Sequence, residues 1–146
     1  MAALPFSRRA LFLGPLGLVA LARPAAAHSF TLATIEIGHP WALPSVSDTA
    51  AIFMALAIHG QETDRLIGAD SPIAREMLLR DQDGAPLDFV ELVPRRPIAL
   101  RPGRRYLEMT GLQAPLAIDD SFPVTLHFHR SGSVMITVMV EEGPEQ

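Results

Sequence analysis

The sequence predicts an all-β domain, an antiparallel β-sandwich, and three observations carry that prediction. Short runs of five to nine residues alternate or concentrate apolar side chains. Eight of the ten glycines and ten of the thirteen prolines lie after residue 27 and punctuate them. Helical periodicity is weak in everything that follows residue 27. Short strands at close spacing with turn chemistry between them build sandwiches rather than bundles.

The first 27 residues stand apart from that pattern. Arg8-Arg9, an apolar run from Leu11 to Ala22 and the small-residue triplet Ala25-Ala26-Ala27 have the layout of an export signal cleaved between Ala27 and His28. The run is short for a membrane-spanning helix and Arg23-Pro24 follows it closely, so the mature chain is expected not to span a membrane. Ser7-Arg8-Arg9-Ala10-Leu11-Phe12-Leu13 resembles a twin-arginine signal with Leu11 where Phe is usual. A general secretory signal is equally open. What remains, residues 28–146, is 119 residues and fits a single domain.

Composition excludes several function classes. The chain has no cysteine, which removes disulfides, thiolate metal sites and thiol nucleophiles together. Its formal net charge is −4. Three of the twelve arginines leave with the signal while all sixteen acids stay, which makes the mature chain −7 with His neutral and argues against a nucleic-acid partner. There is no lysine, and five of the nine remaining arginines lie between Arg95 and Arg105. That cluster is either a solvated face or an anionic docking patch.

Element by element, Thr31 to Ile37 alternates as a strand that His39-Pro40-Trp41 closes, since proline cannot continue a ladder. Ala50 to Ile58 is apolar throughout, compatible with a buried helix or strand, and its nine residues before His59-Gly60 favour a strand. Asp64 to Ala74 follows, then Glu76 to Arg80 and the turn Asp81-Gln82-Asp83-Gly84. Ile98 to Leu112 reads as a β-hairpin around Pro102-Gly103. Asp119-Asp120 marks a turn before the last pair of strands. Those are Val124 to His129 and Ser133 to Val140, joined by Arg130-Ser131-Gly132 with Gly132 left-handed. Pairing His129 with Ser133 then places Phe128 opposite Val134 on the core face and His127 opposite Met135 outside. The set makes an antiparallel sandwich of cupredoxin/immunoglobulin-like kind.

Several segments resemble the bacterial periplasmic copper chaperones of the PCu(A)C family. They are Ile35-Glu36-Ile37-Gly38-His39-Pro40-Trp41-Ala42, Asp64-Arg65-Leu66-Ile67-Gly68-Ala69-Asp70-Ser71-Pro72-Ile73-Ala74, and the frame from Pro102-Gly103 to Gly111-Leu112. The resemblance spans about Thr31 to Val140. It implies a periplasmic copper carrier, not an enzyme, with a periplasmic or membrane copper-accepting protein as partner. It also implies a site of two His and two Met, since soft, low-coordinate Cu(I) takes imidazole and thioether donors. Here those donors are missing: the ungapped alignment puts Tyr106 at the family's histidine and Glu108 at its methionine, and Leu79 or Arg80 at the first histidine. Ala85 to Val93 contains no methionine. The family site is therefore read as degenerate at Arg80, Tyr106 and Glu108, with Met77 and Met109 as core fillers.

Two other groups could hold copper. His127, His129 and Met135 would share an outward strand face in the proposed register. His28 would become the first residue on cleavage and offer a free amine beside an imidazole. His39 and His59 read as turn residues. A non-metal interaction domain docking a partner through the Arg95 to Arg105 surface is the alternative. No Gly-x-Ser-x-Gly elbow, phosphate loop or His-Glu-x-x-His supports catalysis.

Overall fold

A computed structural model describes residues 28–143, and it is built of strands. In chain order they are β1 (Ser29–Leu32), β2 (Ile35–Ala42), β3 (Ala50–Ile58), β4 (Asp64–Asp70), β5 (Glu76–Arg80) and β6 (Pro86–Leu87). Then come β7 (Val90–Leu92), β8 (Ile98–Leu100), β9 (Tyr106–Thr110), β10 (Ser121–Phe128) and β11 (Gly132–Val140). They form one sheet in the order β6-β5-β9-β3-β2-β11-β10-β4-β7, with β1 on β2 and β8 on β3. All neighbours are antiparallel except β11 and β2. The predicted all-β sandwich is what forms. The sheet folds back so that both halves share one core, with Ile52, Leu107 and Met109 from one half against Leu66, Leu126 and Ile136 from the other. Apolar side chains at every second position make each strand one-sided, and burying those sides together is the driving force.

β3 and β5 occupy the segments expected, and the apolar run Ala50 to Ile58 is a strand because it lies mid-sheet between β2 and β9. Met77 and Met109 are core residues, 8% and 0% exposed.

The expected hairpin from Ile98 to Leu112 does not exist. β8 and β9 do not pair with each other; both run antiparallel to β3, β8 along Met54–Leu56 and β9 along Ala50–Ile52. They are two pieces of one strand line, and residues 101–105 are looped out between them. Arg101 N–H donates to the Arg105 carbonyl at 3.0 Å, and Arg104 N–H donates to the Arg101 carbonyl at 3.0 Å, with Gly103 at φ +73°. The Pro-Gly turn is real, but it reverses the chain only locally.

The last hairpin is also corrected. Phe128 pairs with Gly132, His127 with Ser133, Leu126 with Val134 and Val124 with Ile136. This is two residues off the expected register, so His127 faces Ser133 and Met135 faces Thr125. A slip of two preserves parity, so Phe128 and Val134 still face inward and His127 and Met135 outward. Gly132 is left-handed as expected, at φ +88°.

Gly111 closes β9 at φ +65°, and a Cβ there would sit 2.7 Å from Arg75 Cβ. Gly111→Ala combines a disfavoured backbone with a clash against a side-chain root that cannot swing away. We expect a loss of about 1–3 kcal/mol, read as a lowered urea midpoint at unchanged m-value.

Candidate functional site

β5 and β9 pair so that Arg80 lies opposite Tyr106 and Leu78 opposite Glu108. Parity sends Met77, Leu79, Leu107 and Met109 into the core and leaves Leu78, Arg80, Tyr106 and Glu108 on the other face, half-buried. Leu79 is 4% exposed, which removes it as the residue at the first histidine position and leaves Arg80. The three family-site positions thus meet on one face. Arg80 Nε donates to Glu108 Oε2 at 2.8 Å, with the two side chains 22% and 24% exposed. The pair occupies the space between the two strands with hard oxygen and a fixed positive charge. Neither group is a donor for Cu(I), and the guanidinium repels any cation placed beside it. The residues present do not fit the metal.

His127 does not meet Met135 across the ladder. Its Nδ1 is 2.7 Å from Ser133 Oγ and its Nε2 is 2.5 Å from Asp70 Oδ2, on the neighbouring strand β4. Both ring nitrogens are engaged, so a metal would have to displace one partner. His129 is exposed, and its backbone N–H donates to the Arg65 carbonyl at 2.9 Å. Met135 is 67% exposed. Among the described residues no three His, Asp or Glu side chains converge as a metal cluster.

The arginine loop frames a cleft of about 750 Å³ in which Arg101, Arg104 and Arg105 face Asp81 and Asp83. None of those three arginines is in an ion pair among the described residues, in contrast to Arg80 and Arg130. A second cleft, of about 600 Å³, is largely apolar and lies beside Trp41, Leu43 and Pro102, with His39 on its wall. Trp41 packs on Phe53 with ring centroids 4.7 Å apart.

His28 is exposed and begins the described chain, and its carbonyl accepts the His39 N–H at 3.0 Å. His39 was read as a turn residue. It sits instead within β2, at a bulge between Gly38 and Trp41, left-handed at φ +44°, with Nε2 3.1 Å from Glu141 Oε2. The pairing of β1 with β2, which joins two histidines eleven residues apart, was not anticipated. Thr31 to Ile37, expected as one strand, is broken at Ala33-Thr34, two residues between Leu32 and Ile35 that turn a hairpin with Ala33 at φ +51°.

The single core, the strand order and this outer face define a domain of the PCuAC type. The chain is similar to the copper-bound PCuAC domain from PmoF2, with 26% identity and a TM-score of 0.73 over 78% of this chain and 97% of that one. The apo PCuAC domain from PmoF1 shares the fold at 21% identity and a TM-score of 0.71, over 78% of this chain and 98% of that one. So does CuI-DR1885 from Deinococcus radiodurans, at 19% identity and a TM-score of 0.63, over 83% of this chain and 85% of that one. No curated protein matches the chain. The family model described as "Putative lipoprotein LpqE-like" matches residues 35–140, and the chain belongs to this LpqE-like family.

Proposed function

We propose that this protein is an exported copper carrier of the PCuAC type, a binding protein rather than an enzyme, that passes copper to a periplasmic or membrane acceptor. Its likeness to the copper-bound PmoF2 domain over 97% of that domain carries the reading. Export is supported by the Arg8-Arg9, Leu11 to Ala22 and Ala25-Ala26-Ala27 pattern, with cleavage before His28 and release into the periplasm, by the twin-arginine or the general route. Residues 1–27 lie outside the described residues. Among those described, no helix is long and apolar enough to cross a membrane.

The cargo is not held at Arg80, Tyr106 and Glu108, whose ion pair excludes it. The donors left are His28 and, singly rather than as a group, His127, His129 and Met135. Titration of the processed apoprotein with Cu(I) and Cu(II) tests the function, and one tight equivalent is expected. Tyr106→Phe with Glu108→Gln should leave that affinity within about twofold, because neither side chain contributes a soft donor. A processed protein that binds neither ion overturns the reading.

The unpaired arginines support a second reading, a docking domain whose looped-out residues 101–105 receive an anionic partner surface. Arg104→Ser with Arg105→Ser would then weaken docking, most at low salt, and leave copper titration unchanged.

A further inference from the structure

We propose that β8 is an open sheet edge that takes up an extended acidic segment of a partner protein as an added strand, with the segment's carboxylates on Arg101, Arg104 and Arg105. The proposal rests on the docking reading above and gives that partner its chemistry.

The free edge follows from how the strand line along β3 is divided. β9 is covered on its outer side by β5, rung by rung from Glu76 and Thr110 to Arg80 and Tyr106. There β5 ends. Asp81 opens the turn to β6: its N–H donates to the Ala85 carbonyl at 2.9 Å, and its Oδ1 accepts the N–H groups of Asp83 and Ala85, both at 2.9 Å. β8, the other piece of the line, pairs with Met54–Leu56 of β3 on one side, and among the described residues no strand pairs with its other side. The cleft of about 750 Å³ separates that edge, Ile98 to Leu100, from the tip of the β5–β6 turn. A chain laid in it meets backbone without a ladder partner, and main-chain hydrogen bonds to such an edge supply affinity whatever the side chains.

Charge supplies the selection. Arg101, Arg104 and Arg105 are exposed and, among the described residues, in no ion pair. They sit on a chain whose processed form, nine arginines against sixteen acids, is −7 overall, so an acidic partner is attracted to this face and repelled elsewhere. Their loop is already closed by its own backbone bonds, from Arg101 to Arg105 and from Arg104 to Arg101, which lowers the ordering cost of binding. A guanidinium fork takes a carboxylate through two parallel hydrogen bonds. Asp81 and Asp83, on the opposite wall, turn entering carboxylates toward the arginines. The same arginines oppose a second copy of this chain, because edge-to-edge pairing would bring two cationic loops together.

The apolar cleft extends the site. It shares Ala55, Ala99, Leu100 and Arg101 with the first cleft. Ala55 and Ala99 are cross-strand partners, both exposed, and their methyl groups leave a low floor between the two. A large apolar side chain at one end of the segment would rest against Trp41, Leu43 and Pro102. A cleft along a strand edge admits a single chain, whereas a bilayer surface is broad and reaches neither the edge nor the apolar floor.

The test titrates the processed protein with a capped peptide that alternates glutamate with valine and ends in phenylalanine, followed by heteronuclear NMR. We expect shifts confined to β8, the arginine loop and the β5–β6 turn, slowed amide exchange in β8, and weaker binding as salt rises. Arg104→Ser with Arg105→Ser should weaken binding at least about tenfold. The same peptide N-methylated at alternate amides keeps its charge, cannot donate to an edge, and should also bind at least about tenfold more weakly. That comparison leaves the protein unaltered, so no folding defect can mimic it. An N-methylated peptide that binds as tightly as its parent overturns strand addition and leaves the docking reading standing. A glutamine-for-glutamate peptide that binds as tightly as the acidic one, or an arginine double variant that binds it unchanged, overturns both. No response to the acidic peptide overturns the proposal, and capture on phosphatidylglycerol vesicles in that case assigns the arginines to a lipid surface.

Discussion

Asp64→Ala will lower the melting temperature by roughly 10 °C, corresponding to about 3 kcal/mol for a domain of this size. The carboxylate is 3% exposed at the start of β4 and holds the β10–β11 turn onto it. Oδ1 accepts the N–H of Arg65 at 2.7 Å and of Arg130 at 2.9 Å, while Oδ2 accepts the Ser131 N–H at 3.0 Å and its hydroxyl at 2.7 Å. Truncation leaves three backbone N–H groups without an acceptor, and that penalty is what makes the change severe. Burial alone pushes the carboxyl pKa up; the hydrogen bonds from Ser131, Arg130 and Arg65 outweigh it and hold the pKa below the ordinary 3.8. A folded-state pKa below the unfolded one contributes stability that is complete above the unfolded value and is lost as pH falls through the folded value. Thermal melts should therefore show the wild type losing this contribution below about pH 3.8. Asp64→Asn, already without the charge, should lie below it at neutral pH and converge with it in acid. Parallel curves across that window would mean the carboxylate is not the source.

The strand faces were legible in the sequence because alternation fixes parity, and parity alone sent Phe128 and Val134 inward. Alternation does not fix the offset. The turn does, and here it is set by Asp64, 66 residues away from the Arg130 N–H it receives. That long-range cap draws the loop back onto His129, Arg130 and Ser131 and moves the pairing by two. Local turn chemistry also misled at Pro102-Gly103, where the flanking runs do alternate. Their partner is β3, which is long enough to pair with both, and no local pattern can report a third strand. The same limit hid the β1–β2 pairing. His28 and His39 look like a chain end and a turn until a short β1, with little alternation of its own, is laid along β2. Arg80, Tyr106 and Glu108 were readable as positions through the resemblance, but their ion pair is a matter of rotamers and depth that only coordinates supply.

Replacing Arg80→His, Tyr106→His and Glu108→Met together should raise the Cu(I) affinity of this face by at least about 100-fold. The backbone needed is in place: residues 80 and 106 are direct partners at the end of the ladder, residue 108 is the diagonal neighbour on the same face, and β5 and β9 continue in register from there to Glu76 and Thr110. Two imidazoles and a thioether are a sufficient soft set for a low-coordinate ion, although Ala85 to Val93 offers no methionine as a fourth. The order of substitution matters. Glu108→Met alone leaves the Arg80 guanidinium half-buried and unpaired, which destabilises the domain and still repels the cation, so it should gain nothing. Removing Arg80 in the same variant relieves both problems. Competition with a chromogenic Cu(I) chelator reads the gain, and an unchanged melting transition shows that the fold is kept. If the folded triple variant competes no better than its parent, the side chains at positions 80, 106 and 108 are not what decides Cu(I) binding at this face.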